Sequence, residues 1–173
     1  MELIHRLVHY DLTSLEGHCF ERKAARAIIM RGDKILLLYT QRYNDYSFPG
    51  GGVELHEDLY TGLCRELAEE TGATNVKIVR ELGYIEEFRP YYKPEYDLIR
   101  MLSYYYICTI YEQLGDTQLE EYEITNGMSA LWINLNEAIV HNRQVMMNQE
   151  PSMGFSIERE TLILELIASE QLS

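Results

Sequence analysis

A run of three glycines that leads into a glutamate-rich helix pattern constrains this chain more than any other feature of its sequence. The segment, residues 49–73, is PGGGVELHEDLYTGLCRELAEETGA. Residues 58–71 are predicted to be helical, because leucine recurs every four residues from Leu59 and Gly72 is typical of a helix end. The segment is therefore expected to be a glycine-rich loop followed by an amphipathic helix.

Three glutamates of this helix share one face. Glu66, Glu69 and Glu70 are spaced i, i+3 and i+4, which brings their carboxylates within reach of a common point. Their mutual repulsion is relieved by cations, and oxygen ligands select hard ions such as Mg²⁺ or Mn²⁺. The alternative is a solvated acidic face. The glycine loop, the adjacent Arg65 and the apolar stripe opposite favour a divalent-metal site that handles phosphate.

The same residues resemble the Nudix box. Gly51 is followed after five residues by Glu57 and, after seven more, by Arg-Glu-Leu-Ala-Glu-Glu-Thr-Gly. Eight of the nine specified positions of that motif match, and the exception is Ala73, where a bulkier aliphatic residue is usual. The resemblance extends over about residues 22–140.

The resemblance implies a fold as well as a motif. It predicts an α+β fold, a Nudix-type α/β/α sandwich with a mixed β-sheet in which the box forms a loop-helix-loop. The length of 173 residues suits one domain. We therefore expect residues 1–173 to form a single domain, with a core at about 22–140, an extra N-terminal strand at 2–10 and an extra C-terminal helix at 156–169.

The resemblance also implies an activity. It predicts metal-dependent hydrolysis of a pyrophosphate linkage in a nucleoside diphosphate derivative, with Mg²⁺ or Mn²⁺ as the cofactor. Nucleoside triphosphates, ADP-ribose, nucleotide sugars and dinucleoside polyphosphates all remain open as substrates. Divalent ions neutralise the phosphate oxygens and lower the pKa of a bound water, and a carboxylate then accepts the proton.

Matching positions of the box give the metal ligands that the resemblance implies. Glu66 and Glu70 are the principal ligands, and Glu69 is a further ligand or the base. Gly51 occupies the position at which the backbone approaches the metal and the substrate.

The catalytic roles are less sharply divided. The resemblance gives Glu57 the role of pairing with Arg65 or of assisting the metal and the water, and gives Glu69 the role of a possible base. Some family members recruit the base from a later loop, and the acidic stretch here supplies three candidates: Glu120, Glu121 and Glu123. A solvated acidic loop is the alternative for that stretch.

Substrate contacts are expected just before the glycine loop. Tyr46 and Phe48 supply aromatic surface for a base or sugar, and Arg42 is the cation nearest to them in sequence. A solvated arginine is an equally good interpretation of Arg42.

Alternating and apolar runs predict the remaining elements. A hairpin is expected between 24–30 and 34–39, and a loop at 40–56. The triplet 104–106 lies on a predicted strand, so Tyr105 should oppose its two neighbours. Further strands are expected at 76–79, 82–88, 98–111 and 129–133, and a helix from 134.

Charge and composition exclude several classes of function. Lys plus Arg total 15 and Asp plus Glu total 28, a net charge of −13, which disfavours long nucleic acids and anionic membranes as partners. No apolar run is long enough for a transmembrane helix. The three cysteines form neither a disulfide framework nor a zinc motif, so a cytoplasmic protein is expected. A homodimer is left open.

Two rivals to a nucleotide pyrophosphohydrolase remain. One is a non-catalytic regulator that keeps the fold and binds a nucleotide metabolite, although such a protein is expected to lose box carboxylates that are all present here. The other is an enzyme that removes caps from RNA ends, which the net charge disfavours.

Overall fold

The computed structural model describes residues 1–111 and 113–171, and these form nine strands and four helices. The strands are β1 (Leu3–Val8), β2 (Cys19–Ile28), β3 (Met30–Arg31), β4 (Lys34–Thr40), β5 (Asp45–Ser47), β6 (Gly50–Gly52), β7 (Lys77–Pro90), β8 (Leu98–Thr109) and β9 (Met128–Asn134). The helices are α1 (Leu59–Thr71), α2 (Glu121–Thr125), α3 (Leu135–Asn148) and α4 (Ile157–Gln171). In this part of the chain no helix is long and apolar enough to cross a membrane.

The strands are arranged in two sheets. The larger has the order β1-β7-β8-β2-β6 and is mixed, because β1 pairs with β7 and β2 with β8 in parallel while its other pairs are antiparallel. The smaller has the order β3-β4-β5, with β9 also paired to β4.

Helices pack on both faces of these strands. Leu36 of β4 packs in one cluster with Leu63 and Leu67 of α1, whereas its neighbours Ile35 and Leu37 pack in a second cluster with α3 and α4. Alternate residues of β4 are thus buried on opposite sides, as a strand between two helical layers requires. Tyr105 likewise opposes Tyr104 and Tyr106. The predicted α+β sandwich is confirmed.

The predicted hairpin between 24–30 and 34–39 is confirmed only in part: its turn forms at 32–33, but its paired portion is short. Only Met30–Arg31 pairs with β4, and the ten residues of β2 pair instead with β8. That parallel partner is a long strand almost eighty positions further along the chain, and β6 pairs with the other edge of β2, so the hairpin does not extend along β2. Local patterns carry no information about such a partner.

Three other segments differ from the expectation. The two predicted strands at 76–79 and 82–88 are one strand, β7, whose pairing with β8 is interrupted by two irregularities. The predicted loop at 40–56 contains the short strands β5 and β6, and the acidic stretch contains the short helix α2. Strand β5 pairs with the neighbouring β4, β6 pairs with β2, and α2 has only five residues. A periodicity argument misses pieces this short.

Both ends of α1 follow from its sequence. Asp58 caps the N-terminus by accepting a hydrogen bond from the Thr61 N–H at 2.7 Å, and Gly72 ends the helix with a left-handed φ of 68°. Leu63 and Leu67 are fully buried. The opposite face of the helix, which carries the glutamates, therefore points away from the core.

Candidate active site

A cleft of about 640 Å³ lies between the glycine strand β6, helix α1 and the segment around α2. Its described lining contains more carboxylates than cations. The charged lining residues are Arg22, Arg26, Arg65, Asp45, Glu54, Glu66, Glu70, Glu120 and Glu123. The cleft therefore suits an anionic substrate only if other cations accompany it.

Arg65 holds the acidic face of α1 together. Its Nε and Nη2 donate to the two carboxylate oxygens of Glu57 at 2.8 and 3.0 Å, and its Nη1 donates to Glu66 at 2.8 Å and to Glu69 at 3.2 Å. This guanidinium, together with the Glu54 N–H, lowers the pKa of Glu57 to about 2. Glu57 is thus ionised, and its contact with Arg65 is the pairing that the sequence predicted.

The carboxylate of Glu66 lies against the glycine strand. A Cβ at Gly51 would stand 2.5 Å from Glu66 Oε2, so only glycine lets the backbone and this carboxylate come so close. Burial raises the pKa of Glu66, and the hydrogen bond from Arg65 opposes the rise. The two residues that the sequence placed at a metal site are therefore in direct proximity.

Glu70 is more buried than a residue of an open acidic face. Only 5% of it is exposed, and its Oε2 accepts a 2.6 Å hydrogen bond from the Gly50 N–H. Burial raises the pKa of Glu70 well above its usual range, with Glu66 and Glu123 adding to the rise. Gly50 has a φ of 121°, and a Cβ there would collide with the carbonyl oxygen of Ala25. The loop therefore needs glycine at this position to present its N–H to Glu70.

The carboxylates fit a hard divalent ion in donor chemistry. Among residues 1–111 and 113–171, however, no three His, Cys, Asp or Glu side chains stand gathered around one point as metal ligands do. Protein donors account for this, because Arg65 binds Glu66 and Glu69 while the Gly50 N–H binds Glu70. The donors are all oxygens, and a nearby cation would offset the burial that disfavours their ionised forms.

The acidic stretch contributes two of its three glutamates to the cleft. Glu120 and Glu123 line it, whereas Glu121 lines a neighbouring surface depression. Glu123 is buried and accepts hydrogen bonds from the Glu120 N–H at 2.7 Å and from the Tyr122 hydroxyl at 3.2 Å. The structure thus brings two of the late-loop base candidates, but not Glu121, to the site.

The structure does not bring the three predicted substrate contacts to the cleft. Phe48 is fully buried and packs edge-on against Tyr105. Tyr46 packs against Tyr39 and His141, on the side of α3. Arg42 lies at the neighbouring depression and donates to Asn126 Oδ1 at 3.1 Å. The alternation of β5 turns Tyr46 away from the cleft, because it places Asp45 and Ser47 there instead.

Three charged residues of the cleft lie outside both the glycine-rich segment 49–73 and the acidic stretch 120–123. Arg22, Ala24 and Arg26 are alternate residues of β2, so their side chains lie on the same face of the strand. That face lines the cleft. Asp45, on β5, is 3% exposed. The alternation of Arg22, Ala24 and Arg26 was visible in the sequence. No local sequence pattern, however, indicates that this face of β2 lies beside the glycine loop.

Asp45→Asn is expected to stabilise the protein at neutral pH. Burial and the nearby Glu160 raise the pKa of Asp45 from 3.8 to about 6, so its ionisation destabilises the folded state as pH rises from about 4 to above 6. The pH-dependent gain is at most about 3 kcal/mol. Urea unfolding at pH 4.5 and pH 7.5 measures it, and an equal difference between variant and wild type at both pH values would contradict the assignment.

The profile of the NUDIX domain matches residues 21–152, which is most of the chain. The chain belongs to the Nudix family. The match begins almost where the predicted core begins and extends beyond its predicted end at 140. Hydrolases of this family generally use divalent metal ions.

Similar proteins of known name include two phosphohydrolases. Diphosphoinositol polyphosphate phosphohydrolase 3-alpha of Homo sapiens is 32% identical over 110 residues, which are 63% of this chain and 60% of that protein. Diphosphoinositol polyphosphate phosphohydrolase 2 of Rattus norvegicus is 30% identical over 142 residues, 80% of this chain and 70% of that protein. The chain thus spans about 60% of the length of the human relative.

A solved structure supports the fold. The Nudix hydrolase from Nitrosomonas europaea superposes with a TM-score of 0.55 at 18% identity, over 70% of this chain and 78% of that one. The Nudix sandwich predicted from the box is therefore confirmed.

Proposed function

We propose that this Nudix chain hydrolyses a pyrophosphate linkage in a nucleoside diphosphate derivative, with Mg²⁺ or Mn²⁺ as cofactor. One observation carries the proposal. The box, with all of its charged residues present, is folded so that Glu66 and Glu70 lie at the glycine strand, on the wall of a cleft large enough for a nucleotide-sized compound. Family membership and the phosphohydrolase names of its relatives support hydrolysis as the reaction.

Glu66 and Glu70 would hold the divalent ion, with Glu69 as a further ligand once Arg65 releases it. When bound, the ion neutralises phosphate oxygens and makes a coordinated water more acidic. Gly51 keeps the backbone close to Glu66, and the Gly50 N–H fixes the carboxylate of Glu70.

The remaining box residues act by positioning. Glu57 holds the guanidinium of Arg65 through two hydrogen bonds, and Arg65 in turn orients Glu66.

Glu120 and Glu123 line the cleft and are the proposed acceptors of the proton from the attacking water. Glu123 already accepts two hydrogen bonds. Glu120 is therefore the more available of the two carboxylates to accept this proton.

The cations of the cleft favour a substrate with few phosphates. Arg65 is occupied by glutamates, and Arg26 donates to the carbonyl oxygens of Phe48 and Gly50 at 3.0 and 2.8 Å. Arg22 makes no hydrogen bond or ion pair with any described residue. One available guanidinium matches the single diphosphate of a nucleoside diphosphate derivative.

Diphosphoinositol polyphosphates are the second candidate class, since the two named relatives are phosphohydrolases of such compounds. These substrates carry several phosphates besides the diphosphate. Six carboxylates and one unoccupied arginine in the described lining of the cleft suit them poorly.

A phosphate-release screen tests the proposal. Purified protein is incubated with Mg²⁺ or Mn²⁺ and with nucleoside triphosphates, ADP-ribose, nucleotide sugars, dinucleoside polyphosphates or diphosphoinositol polyphosphates, each with and without a chelator. Metal-dependent turnover of a nucleoside diphosphate derivative is expected. Preference for the inositol compounds would support the second candidate, and thermal-shift binding without turnover would replace both with the regulator.

Arg22→Ala is expected to raise KM about 10-fold or more and to change kcat little. The reason is that Arg22 binds a phosphate of the substrate without touching the reacting atoms, and a charge-assisted hydrogen bond contributes about 1.5–3 kcal/mol. Lys23→Ala removes the same charge from the opposite face of β2 and is the matched control. Equal effects of the two substitutions on KM would show that only net charge matters.

Three broader expectations stay proposals. The chain is taken as a single domain over 1–173, and a homodimer remains open. Cys19, Cys64 and Cys108 are free thiols, which agrees with the proposed cytoplasmic location.

A further inference from the structure

A buried network of charged side chains lies beneath α4. Arg159 and Glu160, adjacent on this helix, are 2% and 0% exposed, and Glu87 of β7 is 3% exposed. The guanidinium of Arg159 binds Glu87 and donates from Nε to Glu160 Oε1 at 2.9 Å. Charges are taken out of water only when they are paired, so these three residues form one unit.

This unit reaches the glycine loop through Glu160. The second oxygen of Glu160, Oε2, accepts a 2.9 Å hydrogen bond from the Phe48 N–H. Further along the same segment, Arg26 donates to the carbonyl oxygens of Phe48 and Gly50, and its Nε lies 3.7 Å from Glu160 Oε1. The segment 48–50 is thus held by an acidic group at its N–H and by a basic group at its carbonyls.

The segment 48–50 and the adjoining Gly51 position the carboxylates of the two proposed metal ligands, Glu66 and Glu70. Gly50 donates its N–H to Glu70, and Gly51 lies against the carboxylate of Glu66. A shift of the loop by a fraction of an ångström would move both carboxylates, and misplacement on that scale has large effects on rate.

We propose that Glu160 of α4 is a positioning residue of the active site, which fixes the glycine loop through the Phe48 N–H and so sets the geometry of Glu66 and Glu70. The residue lies beyond the segment 21–152 that matches the family profile. Its kinetic role rests on the proposed hydrolase function, whereas its effect on the loop does not.

A carboxylate is needed at this position because it has two acceptor oxygens. One oxygen serves the Phe48 N–H and the other serves Arg159. A glutamine has a single acceptor oxygen, and its NH₂ group would face either a backbone N–H or a guanidinium. Glu160→Gln therefore breaks one of the two contacts while it preserves size and shape.

The test compares Glu160→Gln with Glu165→Gln. Glu165 lies on the same helix, is partly exposed, and pairs with Arg143 at 2.6 Å, away from the glycine loop. In Glu160→Gln we expect kcat to fall at least 10-fold with KM within about 2-fold, and hydrogen exchange of the Gly50 amide to quicken at least 10-fold. Glu165→Gln should match the wild type in both respects.

A second variant keeps the test decisive if Glu160→Gln fails to fold. Arg159→Met/Glu160→Leu removes the charged pair together, which buried sites tolerate better than the loss of one partner. It should show the same faster exchange at Gly50. Unchanged exchange and unchanged kcat in a folded variant would overturn the proposal. Absence of wild-type turnover would refute the hydrolase function, and the exchange measurement would still decide the role of Glu160 in the loop.

Discussion

Glu70→Gln is expected to lower kcat on the order of 10²-fold or more. The substitution removes the charge of a proposed metal ligand but leaves an amide oxygen that still accepts the Gly50 N–H. The loop should therefore stay in place, so the loss comes from the missing charge. Steady-state kinetics over a range of Mg²⁺ concentrations measure it, and Glu121→Gln, a glutamate of α2 outside the cleft, is the matched control.

Although kcat should fall in Glu70→Gln, the stability of the metal-free protein should not fall. Because burial raises the pKa of Glu70, its ionisation destabilises the metal-free fold as pH rises above the unfolded-state value near 4.5. In a chelator at pH 8 the Tm of the variant should equal or exceed that of the wild type, and the difference should shrink toward pH 4.5. Added Mg²⁺ should stabilise the wild type more. A kcat within a few-fold of wild type would contradict the assigned role.

Arg159→Met is expected to lower the free energy of unfolding by about 3–5 kcal/mol at pH 7.5. The change leaves Glu160 with only the more distant Arg26 and Glu87 with only Arg89, both carboxylates being buried. Urea denaturation measures the loss. Arg143→Met, which breaks the exposed pair with Glu165, should cost about 0–1 kcal/mol.

The effect of Arg159→Met should depend on pH. Burial alone would raise the pKa of Glu87, but Arg159 and Arg89 outweigh burial and lower it. A lowered pKa contributes stability above the unfolded value, near pH 4.5, and that contribution is lost as pH falls through the folded value. The difference between wild type and variant should therefore narrow below about pH 4.5. A difference that is constant from pH 7.5 to pH 4 would show that lost packing, rather than charge, is responsible.

Local chemistry explains what the sequence could predict. The box helix has its own cap at Asp58, its own end at Gly72 and an apolar stripe every four residues, so neighbours in sequence determine it. The pairing of Glu57 with Arg65 and the contact of Gly51 with Glu66 also lie within one short segment. The motif was therefore sufficient to predict the family, the fold and these contacts of the candidate site.

Contacts between segments that are far apart in the chain explain what the sequence could not predict. Phe48 and Tyr46 precede the glycine loop and looked accessible, yet Phe48 is fully buried, Tyr46 packs against Tyr39 and His141, and β5 presents Asp45 to the cleft. Arg22 reaches the cleft only because β2 crosses beside the glycine strand. Arg159 and Glu160 were indistinguishable from the solvated face of an amphipathic helix. Their burial depends on a carboxylate of β7, more than seventy positions away.

The hydrogen bond between Glu160 and the Phe48 N–H spans 112 positions of the chain. During synthesis on a ribosome the box helix emerges long before α4. The glycine loop therefore emerges before Glu160, the acceptor of its hydrogen bond, has been synthesised. Contacts of such large sequence separation form late and slow folding, since a long loop must close before they form. A nascent chain that carries the box helix but not α4 therefore lacks the Glu160 acceptor, and the glycine loop gains this hydrogen bond only after α4 has docked.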